Sequence, residues 1–135
     1  AQPLSGVKVL VVDDDADARE SVSTALAQCG AKTAAVGTVR EALQLLDDFK
    51  PDVIVSDIGM PLEDGFSLMR RVREKPAHAG GDVPAIALTA YASASDREAA
   101  LAAGYQAHVA KPFEPADVAR LVHDLTRPVL QSRSG

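Results

Sequence analysis

Residues 7–15 read VKVLVVDDD, an apolar β-branched run that stops abruptly on three carboxylates, Asp13, Asp14 and Asp15. A run that is apolar at nearly every position, rather than at alternate ones, suits a strand buried on both faces, as in parallel sheets covered by helices on either side. The form recurs along the chain. VIVS at 53–56 ends on Asp57 and AIALT at 85–89 ends on Thr89, while the shorter runs TAAV at 33–36 and AHVA at 107–110 complete a set of five, the last followed by Lys111. Helical periodicity fills the gaps: Val22, Ala25, Leu26 and Cys29 fall at i, i+3, i+4 and i+7, as do Val39, Ala42, Leu43 and Leu46, and again Val118, Leu121, Val122 and Leu125. Thr38 with Glu41 and Ser95 with Glu98 spell capping boxes, so helices are expected to start near 38 and 95. Gly30 and Gly104 stand where left-handed C-caps belong, and Pro115 suits the first turn of the last helix. A less regular helix over about 65–74 is required because a parallel crossover needs one. The pattern predicts an α/β fold of type (βα)5, a doubly wound parallel sheet with helices on both faces.

Composition limits what such a fold can do. At 135 residues, 47% hydrophobic and 24% charged, the chain has the make-up of one globular domain able to bury its own core. A net charge of −5 argues against phosphate-backbone binding, which needs clustered Lys and Arg, and no nucleic-acid contact is expected. The single cysteine, Cys29, excludes an internal disulfide and reads as a small side chain at a helix end in a reducing, cytoplasmic setting. No apolar stretch approaches membrane-spanning length, so no membrane contact by this domain is expected. Residues 1–6 read as a lead-in, 7–127 as the domain and 128–135 as a tail.

In doubly wound sheets chemistry gathers beyond the carboxyl ends of the strands, where strand order reverses. Asp13, Asp14, Asp57, Thr89 and Lys111 all stand at such ends. Converging carboxylates repel one another unless a cation neutralises them, and hard oxygen ligands in small number suit Mg²⁺, or Mn²⁺ in its place. Lys111 then faces the remaining negative charge, and the Thr89 hydroxyl donates to an anionic oxygen. Those are the parts of a phosphoryl-transfer site whose nucleophile is a carboxylate and whose product is an acyl phosphate.

Four segments, VLVVDDD (9–15), PDVIVSDIGMPLEDG (51–65), AIALTAY (85–91) and HVAKPF (108–113), together resemble the receiver domains of two-component response regulators over roughly residues 7–127. The resemblance implies a flavodoxin-like sheet of order 2-1-3-4-5 and makes Asp57 the phosphoacceptor. By the same likeness, Asp14, Asp57 and the backbone carbonyl of Gly59 bind the metal directly, and Asp13 does so through water. Thr89 corresponds to the switch hydroxyl and Lys111 to the phosphoryl partner. Pro112 corresponds to a cis-proline that aims the lysine, and His108 to a switch position usually held by an aromatic ring. Asp15 falls outside this set and reads as a helix-start residue. Gly59 and Tyr91 depart from residues that orient or admit an attacking water and are expected to set the lifetime of the acyl phosphate.

The implied partner is a histidine kinase or histidine phosphotransfer protein. The face formed by the fourth helix, fifth strand and fifth helix, near Tyr105, is the expected output surface and a possible homodimer contact. The lead-in LSGVKVLVVDDD resembles the junction ahead of receivers at the C-terminal end of hybrid sensor kinases, so attachment to a membrane-associated kinase stands beside a free cytoplasmic receiver. The domain is expected to be a signalling switch that assists its own phosphorylation and dephosphorylation, with no kinase activity of its own. Two other readings stand beside it. One is a degenerate receiver that docks without phosphorylation. The other is a haloacid-dehalogenase-like phosphohydrolase using Asp13 and Asp15 as a DxD pair, against which Ala16 and Asp17 follow where Thr or Val is expected.

Overall fold

The computed structural model describes residues 3–58, 65–76, 80–89, 94–110 and 113–134, excepting the side chains of 65, 94–96 and 127–134. Five strands alternate with five helices: β1 (Lys8–Val12), α1 (Ala16–Gln28), β2 (Lys32–Val36), α2 (Val39–Asp48), β3 (Val53–Asp57), α3 (Gly65–Arg73), β4 (Ala85–Thr89), α4 (Ala94–Ala103), β5 (Ala107–Ala110) and α5 (Pro115–Ser134). All pairings are parallel, in the order β2-β1-β3-β4-β5. The expected (βα)5 sheet and its flavodoxin-like order are both present.

Two cores explain the composition of the strands. Val9, Val11, Val53, Val55, Ile86 and Leu88 pack with Val22 and Leu26 of α1 and Val118 and Val122 of α5. The intervening Leu10, Val12, Ile54, Ala85 and Ala87 pack with α2, with Leu68, Met69 and Val72 of α3, and with Ala100 of α4. Successive side chains of a strand point to opposite faces, so covering both faces demands the continuous apolar runs seen in the sequence. β3 and β4 are buried at every position, whereas β5, at the sheet edge, is half-buried throughout. No helix among the described residues is long and apolar enough to cross a membrane.

The local signals act as chemistry dictates. Thr38 Oγ1 caps α2 by accepting from the Glu41 N–H at 3.1 Å, and it donates to Glu41 Oε1 at 3.0 Å, a side-chain bond between the two residues of the expected box. The helix at 94 starts one residue before Ser95, whose side chain lies outside those described. Cys29 caps α1, half-buried against the α1/α5 core. Two boundaries differ from the sequence reading. Leu4, in the expected lead-in, is fully buried and its N–H donates to the Cys29 carbonyl at 2.8 Å, so the chain is already part of the core there. α5 continues through Ser134, past the expected end at 127.

Arg73 ties the sheet's amino-terminal edge together. Its Nη1 donates to the Gly81 carbonyl at 2.9 Å and its Nη2 to the Gly104 carbonyl at 2.6 Å. Nη2 also reaches Gln106 Oε1 at 3.3 Å, an oxygen that accepts from the Ala85 N–H at 2.7 Å. Burial pushes the Arg73 pKa below the ordinary arginine value, opposed by the nearby negative charge of Asp82. Arg70 and Arg71, in the same last turn, are exposed and complement the helix dipole; together the three form a local basic cluster that a whole-chain charge balance hides.

Gly104 meets Arg73 in a conformation that only glycine adopts readily, at φ +117°, and an added Cβ would come within 2.9 Å of Arg73 Nε. Gly104→Ala is therefore expected to cost about 2 kcal/mol of stability, read as a lower urea midpoint at unchanged slope. An unshifted midpoint would show that the backbone there relaxes freely.

Candidate functional site: an acidic cluster at the strand ends

β1 and β3 are neighbours, and the chain leaves β1 toward β2 on one side before returning to β3 on the other. That reversal opens a crevice beyond their carboxyl ends. Val12 pairs with Ser56 across the ladder, so the next residues on each strand, Asp13 and Asp57, reach the crevice side by side. Carboxylate oxygens of Asp13, Asp14 and Asp57 all lie within 4.8 Å of one another. Asp13 is 1% exposed and Asp57 7%, while Asp14 is open to solvent, giving the cluster a buried floor and one accessible ligand.

The backbone aims these groups. The Asp13 N–H donates to the Val36 carbonyl at 3.1 Å, and Asp13 Oδ1 accepts from the Asp15 N–H at 2.9 Å. Asp15 itself turns away to cap α1, its Oδ1 accepting from the Asp17 N–H at 3.0 Å and the Ala18 N–H at 3.4 Å. It is absent from the carboxylate cluster found among the described residues, so the DxD pairing of Asp13 with Asp15 is not formed. Asp57 ends β3 in register with Leu88, and the Ile58 N–H donates to the Leu88 carbonyl at 3.0 Å. Thr89 follows Leu88 at the end of β4, 3% exposed, and is in register with Ala110 of β5.

The next residue after Ala110 is Lys111. Lys111 and Pro112, together with Gly59 and Tyr91, lie outside the described residues. His108 is half-buried on β5 and lines a surface cavity of about 410 Å³ with Arg97, Leu101, Gln106, Ala107 and Leu121, between α4 and α5. Leu101, 44% exposed, is the large hydrophobic side chain most open to solvent among the described residues. Tyr105 is not at that surface: at 2% exposure it belongs to the core beneath α2 and α3. An aromatic after a helix C-cap glycine can pack to either side of the sheet, and the sequence did not distinguish them. His123 lies half-buried on α5, its Nδ1 3.8 Å from Asp124 Oδ1, and it belongs to no group of three metal-type ligands among the described residues.

Three hard oxygen donors in a partly buried acidic pocket fit a Mg²⁺ ion, which takes few protein carboxylates and keeps its remaining positions for water and phosphoryl oxygen. A softer metal would call for His or Cys, and the cluster has neither.

Comparison with known proteins agrees with this geometry. The family model "Response regulator receiver domain" matches residues 9–123. An uncharacterized 14.6 kDa protein of Leptolyngbya boryana is 46% identical over 121 residues, 90% of this chain and 91% of that protein. Among solved structures, a Francisella response regulator receiver domain superposes with a TM-score of 0.84 at 31% identity, over 92% of this chain and 99% of its own. The receiver domain of a sensor histidine kinase from Pseudomonas aeruginosa PAO1, solved with magnesium in its active-site cleft, superposes with a TM-score of 0.79 at 31% identity, over 90% and 98%. The chain spans about half the length of several curated regulators it matches. With its sheet order, its acidic crevice and a family match over most of its length, this chain belongs to the receiver domains of two-component response regulators.

Proposed function

We propose that Asp57 accepts a phosphoryl group from a phosphohistidine on a histidine kinase or phosphotransfer protein, and that the resulting acyl phosphate switches the face built from α4, β5 and α5. The observation that carries this reading is the convergence of the Asp13, Asp14 and Asp57 carboxylates within 4.8 Å at the carboxyl ends of β1 and β3. A carboxylate oxygen of Asp57 attacks phosphorus, the phosphorus–nitrogen bond breaks, and the imidazole leaves. Asp14, Asp57 and the Gly59 carbonyl would hold Mg²⁺ or Mn²⁺ directly, and Asp13 would hold it through water. A cation held there would supply neutralisation of the carboxylates and of the charge on the transferring group. Lys111 pairs with a phosphoryl oxygen and the Thr89 hydroxyl donates to another, so chemistry rests on positioning and charge rather than on a separate acid or base.

Switching is a population shift: the phosphoryl group favours the arrangement in which Thr89 and Lys111 reach it, and several kcal/mol of differential affinity are needed for a decisive change. In this reading His108 follows Thr89 and alters a surface that binds an effector or a second copy; its position beside Leu101 at the α4/α5 cavity supports that role. The domain works in the cytoplasm, either free or fused to a membrane-associated kinase.

Incubation with Mg²⁺ and a small acyl phosphate donor tests the proposal. A mass gain of one phosphoryl group, acid-stable, alkali-labile and mapped to the Asp57 peptide, is the expected result. Labelling of Asp13 would favour the hydrolase, and no labelling with any donor would favour a phosphorylation-independent docking module. Gly59→Asn and Tyr91→Glu are expected to change the decay rate of the labelled protein several-fold, since Gly59 stands two residues after Asp57 and Tyr91 two after Thr89 in sequence, positions that the family likeness assigns to control of the attacking water; identical decay curves would remove them from that role.

A further inference from the structure

The carbonyl of Asp13 belongs to the peptide group that joins Asp13 to Asp14, and its orientation therefore sets the direction in which both carboxylates leave the backbone. Strand β1 ends at Val12, one residue before this carbonyl. Arg19 Nη1, projecting back from α1, donates to this oxygen at 2.9 Å. The Arg19 N–H is in turn bonded to the Asp15 carbonyl at 2.9 Å, which fixes the base of the side chain to the same loop. Gly37, just beyond β2, supplies the berth. A Cβ added there would lie 2.8 Å from Arg19 Nη1 and 3.8 Å from the Asp13 carbonyl oxygen. Gly37 is not among the residues of positive φ, so what the position requires is room for the guanidinium rather than an unusual backbone.

We propose that Arg19, seated against Gly37, is a positioning residue for the divalent-cation site: it locks the Asp13–Asp14 peptide so that these carboxylates converge with Asp57. The inference rests on the cation site of the proposed function and adds a residue to its control. Charge alone makes the opposite prediction. A guanidinium beside a cation site repels the cation, so neutralising Arg19 should tighten Mg²⁺ binding if Arg19 acts only through its field. If it acts by holding the peptide, neutralising it loosens the ligands and weakens binding, as loss of a group that orients metal ligands typically does by about 10- to 100-fold. The sign of the change separates the two roles.

Calorimetric titration of Mg²⁺ into the metal-free protein reads that sign. Arg19→Met is expected to bind at least about 10-fold more weakly than the wild type. Arg19→Lys, which keeps the charge and one donor, should recover part of the loss. Gly37→Ala leaves every charge in place and displaces only the guanidinium, so it should weaken binding in the same direction. In the Arg19→Met background it should add nothing, because the two substitutions remove one interaction. Unfolding in chelator is measured alongside: a merely structural Arg19 would lower the midpoint and leave Mg²⁺ affinity unchanged. Unchanged or tighter binding by Arg19→Met overturns the inference. Should Arg19→Met fail to fold, Gly37→Ala decides alone, unchanged affinity again overturning it. A wild type that takes up no Mg²⁺ would defeat the cation site itself, whereas wild-type binding with unaffected variants defeats only the role of Arg19.

Discussion

Asp57→Asn is expected to take up no phosphoryl group from an acyl phosphate donor, a loss of at least about 10³-fold against the wild type, while remaining folded. The amide has nearly the shape of the carboxylate, so a side chain that is 7% exposed is exchanged without a cavity. What disappears is the anionic oxygen that attacks phosphorus, and no neutral amide replaces it as a nucleophile. Neighbouring acids do not substitute easily. Asp13 is 1% exposed and engaged with the Asp15 N–H, and Asp15 is committed to the helix cap. Intact-mass spectrometry after incubation, with circular dichroism as the check on folding, measures the effect. Full labelling of a folded Asp57→Asn would move the nucleophile elsewhere.

The second large effect has two signs. Asp13→Asn is expected to stabilise the metal-free protein by about 1–2 kcal/mol and to remove at least about half of the stabilisation that Mg²⁺ confers. At the 4.8 Å limit a pair of carboxylates repels by roughly 3 kcal/mol at an effective dielectric near 20, and Asp13 lies within that distance of two others. Relaxation and the exposure of Asp14 reduce the net gain below that sum. The asparagine oxygen can still accept from the Asp15 N–H, so the loop keeps its fold. In the wild type, Mg²⁺ at a hundred times its Kd adds about 2.7 kcal/mol. A variant that binds about 10- to 100-fold more weakly gains only about 1.4 to 0.4 kcal/mol at the same concentration. Thermal melts with and without Mg²⁺ should therefore separate widely for the wild type and by about half as much or less for the variant. A variant less stable than the wild type in chelator would show that the carboxylates do not strain the metal-free fold.

Much of this was legible in the sequence because the governing interactions are local or periodic. Strand faces follow from alternation, so Val53 to Asp57 could be placed within a residue of its observed span. Thr38 and Glu41 lie three apart and satisfy each other within one turn. Gly30 and Gly104 carry positive φ where caps were expected, at +99° and +117°. The carboxylates were legible for another reason: parallel strands bring all their carboxyl ends to one edge, so strand assignment already places Asp13, Asp14 and Asp57 together. What stayed hidden depends on long-range geometry. Nothing near Leu4 in the chain reveals that the Cys29 carbonyl will receive its N–H. Arg73 reaches Gly104, 31 residues away, and is indistinguishable in sequence from the solvent-facing arginines beside it. Arg19 reads as one more charge on an amphipathic helix until Gly37 is seen to leave it space.

Both cores draw on alternate residues of the same strands, and this has a meaning for the chemistry as well as for packing. If β3 slipped by one position along β1, Asp57 would travel about 3.3 Å and turn to the opposite side of the sheet, leaving a serine or an isoleucine at the mouth of the crevice. The apolar side chains that forbid such a slip act as a ruler graduated in single residues. Distances among the acids are thus calibrated by the greasy interior beneath them, and a methyl group lost far below the crevice can detune a centre it never touches.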